Sequence, residues 1–251
     1  MKESVQSIER AFCLLQELAR NPGGVSSLAR QVRLPTSTVA RLLGTLEGLD
    51  AVEREADGVS YRLGSTISAL ASRVDPVRSI LTVAQPQMLE LVDQVGEAVG
   101  LAIPVGDAVK YIGQIDCSNP VQVSDWTGTS LPMHVVPSGL VVLANWPEAL
   151  VKKILIPPLE RFTDSTIVDL DEVLERLKSN RVMGHAWVFE ELPEDINSVA
   201  APLFDSTGGV VGALHSHGPA YRFPGDNLGK TISQQVIDTA AVISRNLGYI
   251  S

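Results

Sequence analysis

The chain has 251 residues, enough for two ordinary domains with separate hydrophobic cores. Its 45% hydrophobic and 20% charged residues, without a low-complexity tract, indicate a globular protein. No apolar run approaches the roughly 20 residues that span a bilayer, and the first residues lack a signal-peptide pattern. The two isolated cysteines argue against a disulfide framework or a zinc ribbon. We therefore expect a cytoplasmic protein without membrane contact.

The net charge of −9 is distributed unevenly. Residues 1–75 hold nine Lys/Arg and nine Asp/Glu, whereas residues 76–251 hold eleven and twenty. A neutral, arginine-bearing first part and an acidic second part are typical of a protein in which one domain meets a polyanion.

The first part predicts three helices. In SVQSIERAFCLLQELAR, apolar residues recur every three or four positions until Asn-Pro-Gly-Gly ends the run. A second helix is expected to start with a cap at Ser26 or Ser27 and to end at Val32. A third is expected to open at Pro35-Thr36-Ser37, with hydroxyls capping its free N–H groups, and to reach about Leu49.

AVEREADGVSYRLG predicts two short strands around the turn Asp57-Gly58. Two helices, a tight turn, a third helix and a hairpin follow the order of a winged helix-turn-helix. The alternative from this pattern alone is a helical dimerisation module.

Two prolines divide the next helical stretch. We expect Pro76 and Pro86 to interrupt it, leaving a linker helix near residues 65–74 and a longer helix that ends near Gly96.

The second part alternates strands and helices. LAIPVGDAVKYIGQID predicts a hairpin around Gly106-Asp107, and PVQVSDW predicts a further strand. LVVLANW, EALVKKILI and VDLDEVLERLKSN favour helical or buried segments, and HAWVFEE, INSVAAPLFD and VVGALHSHG favour strands. A long helix from DNLGKTISQQ onward closes the chain. The order predicts an α+β protein with an antiparallel sheet flanked by helices.

His215 and His217 are two residues apart in one predicted strand, so both side chains should face the same side. Four readings are open: metal ligands with His134 or a carboxylate as a further ligand, a catalytic pair, packed core histidines, or the lining of a binding pocket. No GxSxG, HExxH or CxxC motif supports catalysis. Pocket lining is favoured, because an imidazole can donate to a phenol or carboxylate and stack on a ring.

Several segments in collinear order resemble the isocitrate lyase regulator (IclR) family of bacterial transcription regulators. They are SVQSIERAFCLLQELA, LPTSTVARLLGTLEGL, YRLG, LPMH followed by SG, VAAPLFDSTGGVVGAL and the HGP end. The resemblance implies a winged helix-turn-helix domain over residues 1–64, a linker helix over 65–76 and a GAF-like effector and oligomerisation domain over 77–251. It also implies homodimers that pair into tetramers, operator DNA as partner, and neither enzyme activity nor a cofactor.

A recognition helix places its first turn in the major groove, and wing strands contact the minor groove or phosphates. The expected DNA-binding residues are Thr36, Ser37, Thr38, Arg41, Arg54 and Arg62. The family often has Lys at position 36 and Tyr or His where Ala40 stands, so the operator sequence is expected to differ.

The resemblance places a small-acid pocket between the sheet and the loop that opens the helix at LPMHVVPSGL, where free N–H groups suit a carboxylate. The expected lining residues are Val123, Trp126, Leu131, Pro137, Ser138, Val188, Ile196, Ser198, His215 and His217. Many relatives have two serines in place of the two histidines. Val188 stands where an acidic residue is frequent, and Pro137 replaces a small residue that has an N–H group.

These expectations describe a repressor or other regulator that senses a small aromatic or hydroxylated acid and holds no metal. The effector would change the spacing of two DNA-binding domains through the linker helix. The alternatives are a DNA-binding architectural protein with an inert second domain, and a metal-responsive regulator or metal-dependent enzyme that uses His215 and His217.

Overall fold

The computed structural model describes residues 5–73, 75–192, 194–226 and 229–249. The chain divides into two compact units, residues 1–76 and 77–251. Both units combine helices with antiparallel sheet, as the α+β prediction requires.

The first unit is a winged helix-turn-helix. Its helices are α1 (Gln6–Arg20), α2 (Val25–Gln31), α3 (Thr36–Glu47) and α4 (Ser65–Ala71), and its strands are β1 (Gly23–Gly24), β2 (Val52–Arg54) and β3 (Ser60–Leu63). The strands form an antiparallel sheet in the order β1-β3-β2. Apolar residues of α1, α2 and α3, among them Leu14, Leu28, Val39 and Leu43, form one core together with Tyr61 of β3. The predicted order of elements is confirmed.

The predicted hydroxyl caps of the second and third helices are wrong. Gly24 caps α2 and Pro35 caps α3, each without a side-chain hydrogen bond. Each helix begins earlier than the cap prediction requires, so Ser26, Ser27 and the Thr36 hydroxyl lie inside the first turn. A side chain there no longer has the extended N-cap backbone from which its oxygen reaches the free N–H groups.

The second unit is built on one antiparallel sheet. Its helices are α5 (Pro76–Val95), α6 (Pro137–Ala144), α7 (Glu148–Ile154), α8 (Leu170–Met183) and α9 (Gly229–Asn246). Its strands are β4 (Ala98–Val105), β5 (Ala108–Ile115), β6 (Ser130–Pro132), β7 (Ala186–Phe189), β8 (Ile196–Phe204) and β9 (Val210–Pro219). Within the described residues, the sheet order is β6-β5-β4-β9-β8-β7.

Both faces of this sheet are covered. Alternate strand residues such as Ala213 and Ala200 pack with α6 and α8 in one core, and their neighbours Leu214 and Val199 pack with α5 and α9 in another. Because the side-chain period of a strand is two, β9 carries one set of residues into each core. A strand with both faces covered is therefore almost wholly apolar, and the two histidines of β9 are exceptions that need an explanation.

Two element predictions in this unit are wrong. Pro86 lies inside α5 and does not end it. Its side chain is exposed, and the buried face of the helix continues from Ala84 to Met88, so core packing compensates for the lost backbone hydrogen bond. The segment PVQVSDW forms no strand. Val121 is exposed, and the Gln122 side chain donates to the carbonyls of Cys117 and Asn119, which holds the segment as a loop.

The remaining strands and helices of the second unit lie where the sequence predicts them. The predicted final helix included Asn227 and Leu228, which lie outside the described residues, and α9 begins at Gly229. Among the residues that the structure describes, no helix combines the length and the apolar character that a membrane crossing requires.

Candidate functional sites

The first turns of α3 present the predicted DNA-facing side chains. Thr36, Ser37 and Arg41 are exposed and Thr38 is half-buried, while the opposite face of the helix is anchored in the core. No hydrogen bond or ion pair engages the Arg41 guanidinium within the described part of the chain. Its charge is therefore available to a base edge or phosphate without breaking an existing contact.

The two wing arginines are held differently. The Arg54 Nε is 3.1 Å from a carboxylate oxygen of Glu47, and its Nη1 donates to the Gly58 carbonyl at 3.1 Å. The Arg62 Nε is 2.7 Å from a carboxylate oxygen of Glu53. Exposed ion pairs of this kind contribute about 0–1 kcal/mol, so the guanidinium groups can exchange these partners for phosphates.

Arg33 is a candidate that the sequence analysis missed. It is exposed in the turn between α2 and α3, with a positive φ of 53°, and its side chain makes no hydrogen bond or ion pair among the described residues. The signal available in the sequence was its position in the turn itself, which was interpreted only as a tight connection.

In the second unit, β9 places His215 and His217 side by side on the face covered by α6. Their rings stack with centroids 5.4 Å apart, and the two Nδ1 atoms are 3.4 Å apart. Both side chains are buried, and within the described part of the chain neither Nε2 atom has a hydrogen-bond partner. The prediction from the two-residue spacing is confirmed: both rings enter one space.

Small residues on the neighbouring strands make room for these rings. Gly100 and Ala200 flank His215 across the sheet, and Ala98 and Ser198 flank His217. A Cβ atom on Gly100 would lie 2.4 Å from the His215 Nε2. The imidazole therefore occupies the volume that any other residue at position 100 would fill.

Burial keeps both imidazoles neutral at pH 7. It lowers the pKa of His217 to about 4, although Asp116 and Asp125 act in the opposite direction. Burial, with a smaller contribution from His217, holds the pKa of His215 well below its ordinary value. A neutral imidazole has one N–H donor and one acceptor nitrogen.

A hydrogen bond between the two Nδ1 atoms requires the two neutral rings to be different tautomers. One Nδ1–H donates to the other Nδ1, so the first ring keeps an unprotonated Nε2 and the second keeps an Nε2–H. The two unpartnered Nε2 atoms consequently have opposite characters, one donor and one acceptor. A group that both accepts and donates, such as a hydroxyl, matches this pair.

The histidines line a small cavity that Trp126, carried by the loop between β5 and β6, borders on one side. Its indole stacks on His217 with centroids 5.9 Å apart and meets Tyr111 edge-on at 5.7 Å. The predicted residues that line the cavity are Trp126, Pro137, Val188, Ile196, Ser198, His215 and His217. Counted as space open to the centre of a water molecule, the cavity measures about 20 Å³, which holds about one water.

Three predicted residues lie outside this lining. Val123 and Leu131 are half-buried, and Leu131 packs against the adjoining core. Ser138 is fully buried in the first turn of α6, and its Oγ makes no hydrogen bond of regular geometry. It lies close enough to Tyr111 to oppose the increase that burial causes in the pKa of that phenol.

The sequence analysis missed four residues of the lining: Tyr111, Val135, Val136 and Leu192. Tyr111 contacts His215 edge-on, with ring centroids 4.9 Å apart. Its place was available from the two-residue period of β5, which puts Tyr111 on the same face as the buried Val109. The other three lie in a loop and at a helix start, where no period gives their direction.

The proposed third metal ligand lies elsewhere. The His134 Nε2 is 2.9 Å from the Glu160 carbonyl, and its ring lies against Phe162. Across residues 5–73, 75–192, 194–226 and 229–249, no three His, Cys, Asp or Glu side chains are grouped as a metal site requires.

Comparison with known families agrees with the architecture of both units. A model described as the IclR helix-turn-helix domain matches residues 7–56, and one described as the C-terminal domain of bacterial transcriptional regulator IclR matches residues 74–245. The chain belongs to the IclR family. It is therefore a DNA-binding transcription regulator with an effector domain. The members of this family are transcription regulators and not enzymes.

The relatives of this IclR-family chain align over nearly its full length. The HTH-type transcriptional repressor AllR of Klebsiella pneumoniae is 34% identical over 250 residues, covering 98% of this chain and 92% of the relative. A crystal structure of an IclR transcriptional regulator from a Silicibacter species has a TM-score of 0.80 at 26% identity, covering 97% of this chain and 96% of the other.

A further structure bears on the cavity. An IclR homologue of Microbacterium hydrocarbonoxydans, solved in complex with 4-hydroxybenzoate, has a TM-score of 0.62 at 25% identity, covering 96% of this chain and 98% of the other. That ligand is an aromatic acid with a phenolic hydroxyl.

Proposed function

We propose that this chain is a repressor whose binding to operator DNA is weakened or rearranged when a small aromatic hydroxy acid occupies the cavity at His215 and His217. The observation that carries the proposal is that the buried Nε2 atoms of these two adjacent rings have no hydrogen-bond partner among the described residues. The contact between the two Nδ1 atoms implies that one Nε2 is a donor and the other an acceptor. Two relatives support the proposal. The 34% identical relative is named a transcriptional repressor, which agrees with the proposed repression, and a structural relative was solved with 4-hydroxybenzoate, which agrees with the proposed class of effector.

On DNA, α3 is proposed to enter the major groove, where Arg41 reaches a base edge or phosphate and the hydroxyls of Thr36, Ser37 and Thr38 supply shorter contacts. Arg54 and Arg62 on the wing, with Arg33 in the turn, are proposed to contact phosphates. All four arginines are exposed, which such contacts require.

We propose that the DNA-bound form is a homodimer, with two dimers pairing into a tetramer. An apolar stripe at the start of α1, made of the N-cap residue Val5 and of Ile8 and Phe12, is exposed by 60%, 56% and 61%. The spacing places these side chains on one face of the helix, and a second copy of the chain would cover them. A dimer also supplies the two recognition helices that paired half-sites need.

In the effector cavity, a phenol or alcohol is proposed to accept from one Nε2–H and to donate to the other Nε2. Each buried polar atom left without a partner costs about 1–3 kcal/mol, and the effector would recover that free energy. Ser138 and the first turn of α6 lie beside the cavity and would face the acid group.

Trp126 is proposed to move when the effector binds. A cavity of about 20 Å³ cannot hold a benzene ring, and Trp126 is the largest side chain in its described lining, half-buried and carried by a loop. The effector ring would replace the indole against His217, and the displaced loop would shift the population between the DNA-binding and released states.

Footprinting of the full chain on the DNA upstream of its own gene, with and without 4-hydroxybenzoate, tests the proposal. A protected palindromic site that is lost or altered by 4-hydroxybenzoate, but not by benzoate at the same concentration, is expected. Calorimetry with Zn²⁺ run beside it tests the metal alternative. Protection that responds to Zn²⁺ and ignores both acids would refute the effector assignment while leaving DNA binding intact.

A further inference from the structure

A second cavity lies in the second unit at the edge of the sheet, between the C-terminal ends of α8 and α9. Strand β7 pairs with β8 only as far as Ala200, whereas β8 continues to Phe204. The uncovered part of β8 therefore borders an opening. The cavity at this opening measures about 270 Å³, compared with about 20 Å³ for the cavity at the histidines. It is large enough for a small molecule in the present structure.

The inner wall of this cavity is apolar. Ala201, Ala240 and Ala241 leave the space open because each carries only a methyl group. The rings of Phe204 and Tyr249 stack with centroids 5.1 Å apart and close one side. Such a wall favours the flat or branched hydrocarbon part of a ligand.

Two arginines give the lining a positive charge. Arg181 and Arg245 are exposed, and within the described residues no hydrogen bond or ion pair engages either guanidinium. Residues 76–251 carry eleven basic and twenty acidic side chains, so two unpaired arginines around one cavity run against the charge of the unit. The charge complements an anion.

The open edge of β8 is a poor place for an added peptide strand. Pro202 has no N–H group, and the Phe204 N–H already donates to the Ser244 Oγ at 3.0 Å. Strand addition depends on free backbone donors, so these two positions favour a small molecule over a peptide.

We propose that this cavity is a second ligand site, independent of the histidine cavity, that binds an anionic amphiphile. The apolar body lies against the three alanines and the Phe204–Tyr249 stack, and a carboxylate, phosphate or sulfonate group contacts Arg181 and Arg245. Occupation of this site by a metabolite would give the regulator a second input beside the proposed effector.

The fluorescent probe 8-anilinonaphthalene-1-sulfonate, titrated into the full chain, tests the site. The double variant Arg181→Gln/Arg245→Gln should raise the dissociation constant of this probe about three- to thirtyfold, as expected for two exposed charge contacts. Lys230→Gln, which removes an exposed cation from α9 away from the cavity, should leave the dissociation constant of the probe unchanged.

The uncharged probe N-phenyl-1-naphthylamine separates the apolar wall from the charges. Ala241→Leu, which fills the cavity, should weaken the binding of both probes. The double arginine variant should weaken the binding of the sulfonate probe only. Equal affinities of the sulfonate for wild type and the double variant, or an equal loss in Lys230→Gln, would overturn the proposal. So would sedimentation showing that the double variant separates the oligomer, since the arginines would then serve a subunit interface.

Discussion

Gly100→Ala is the sharpest perturbation of the histidine cavity, because one added methyl group collides with one ring. The new Cβ would lie 2.4 Å from the His215 Nε2 and 2.7 Å from its Cε1. Carbon and nitrogen atoms do not approach so closely, so the imidazole must move, and that movement disturbs its 3.4 Å contact with His217. Overpacking of a core costs about 1–3 kcal/mol, and we expect that loss in the free energy of unfolding.

A double-mutant cycle isolates the collision. In a His215→Ala background the ring is gone, and the nearest remaining atom to the new Cβ is the Gly113 carbonyl oxygen at 3.0 Å. Gly100→Ala should then cost at least 1 kcal/mol less than in the wild-type background, which is the coupling free energy expected of two residues in contact. The glycine is not needed for its backbone conformation, because its φ is not positive.

Urea unfolding followed by tryptophan fluorescence measures the cycle. Trp126, Trp146 and Trp187 all lie in the second unit, so the signal reports that unit. The same variants titrated with 4-hydroxybenzoate should show weaker binding wherever His215 is displaced. An equal loss of stability from Gly100→Ala in both backgrounds would refute the reasoning, because the penalty would then come from the strand and not from the imidazole.

Four further results are expected. Arg41→Ala should weaken operator binding by about 1–3 kcal/mol in gel shifts, whereas Arg10→Ala, on α1, should not; equal losses would remove Arg41 from the interface. Trp126→Ala should bind 4-hydroxybenzoate about 1 kcal/mol more tightly by calorimetry, because the ligand no longer displaces a stacked ring, and weaker binding would show that the indole instead contacts the ligand. Between pH 6.5 and about 4 the unfolded chain binds protons at His215 and His217 that the folded chain excludes, so the free energy of unfolding should fall by about 2.7 kcal/mol per pH unit as pH falls, about 1.4 kcal/mol from each histidine. His217→Gln should remove about half of that slope, and an unchanged slope in thermal or urea unfolding would contradict the burial of His217 as a neutral ring. Arg222→Ala should destabilise the second unit by about 2–4 kcal/mol in urea unfolding, since it leaves the buried Glu97 carboxylate without its two-bond partner, while Lys178→Ala, in an exposed pair, should leave stability nearly unchanged.

Local pattern was sufficient for most elements. The winged helix-turn-helix order, the hairpin at Gly106-Asp107 and the common direction of His215 and His217 follow from periods of 3.6 and 2 and from turn residues, which depend only on neighbours in the chain. Pro86 shows where local rules fail, because the buried face of α5 outweighs the preference of one exposed proline.

The contents of the cavity depended on partners distant in sequence. Gly100 lies beneath His215, and Tyr111 beside it, only because β4 pairs with β9 and β5 pairs with β4 in one register. The paired segments of β4 and β9 lie more than a hundred residues apart in the chain. That register is set by the packing of the whole sheet between two helical layers, which no single segment encodes. The sequence alone determined that two imidazoles share a space; the tertiary structure decided that they are buried, neutral and of opposite hydrogen-bonding character, because burial and contact are properties of the assembled core.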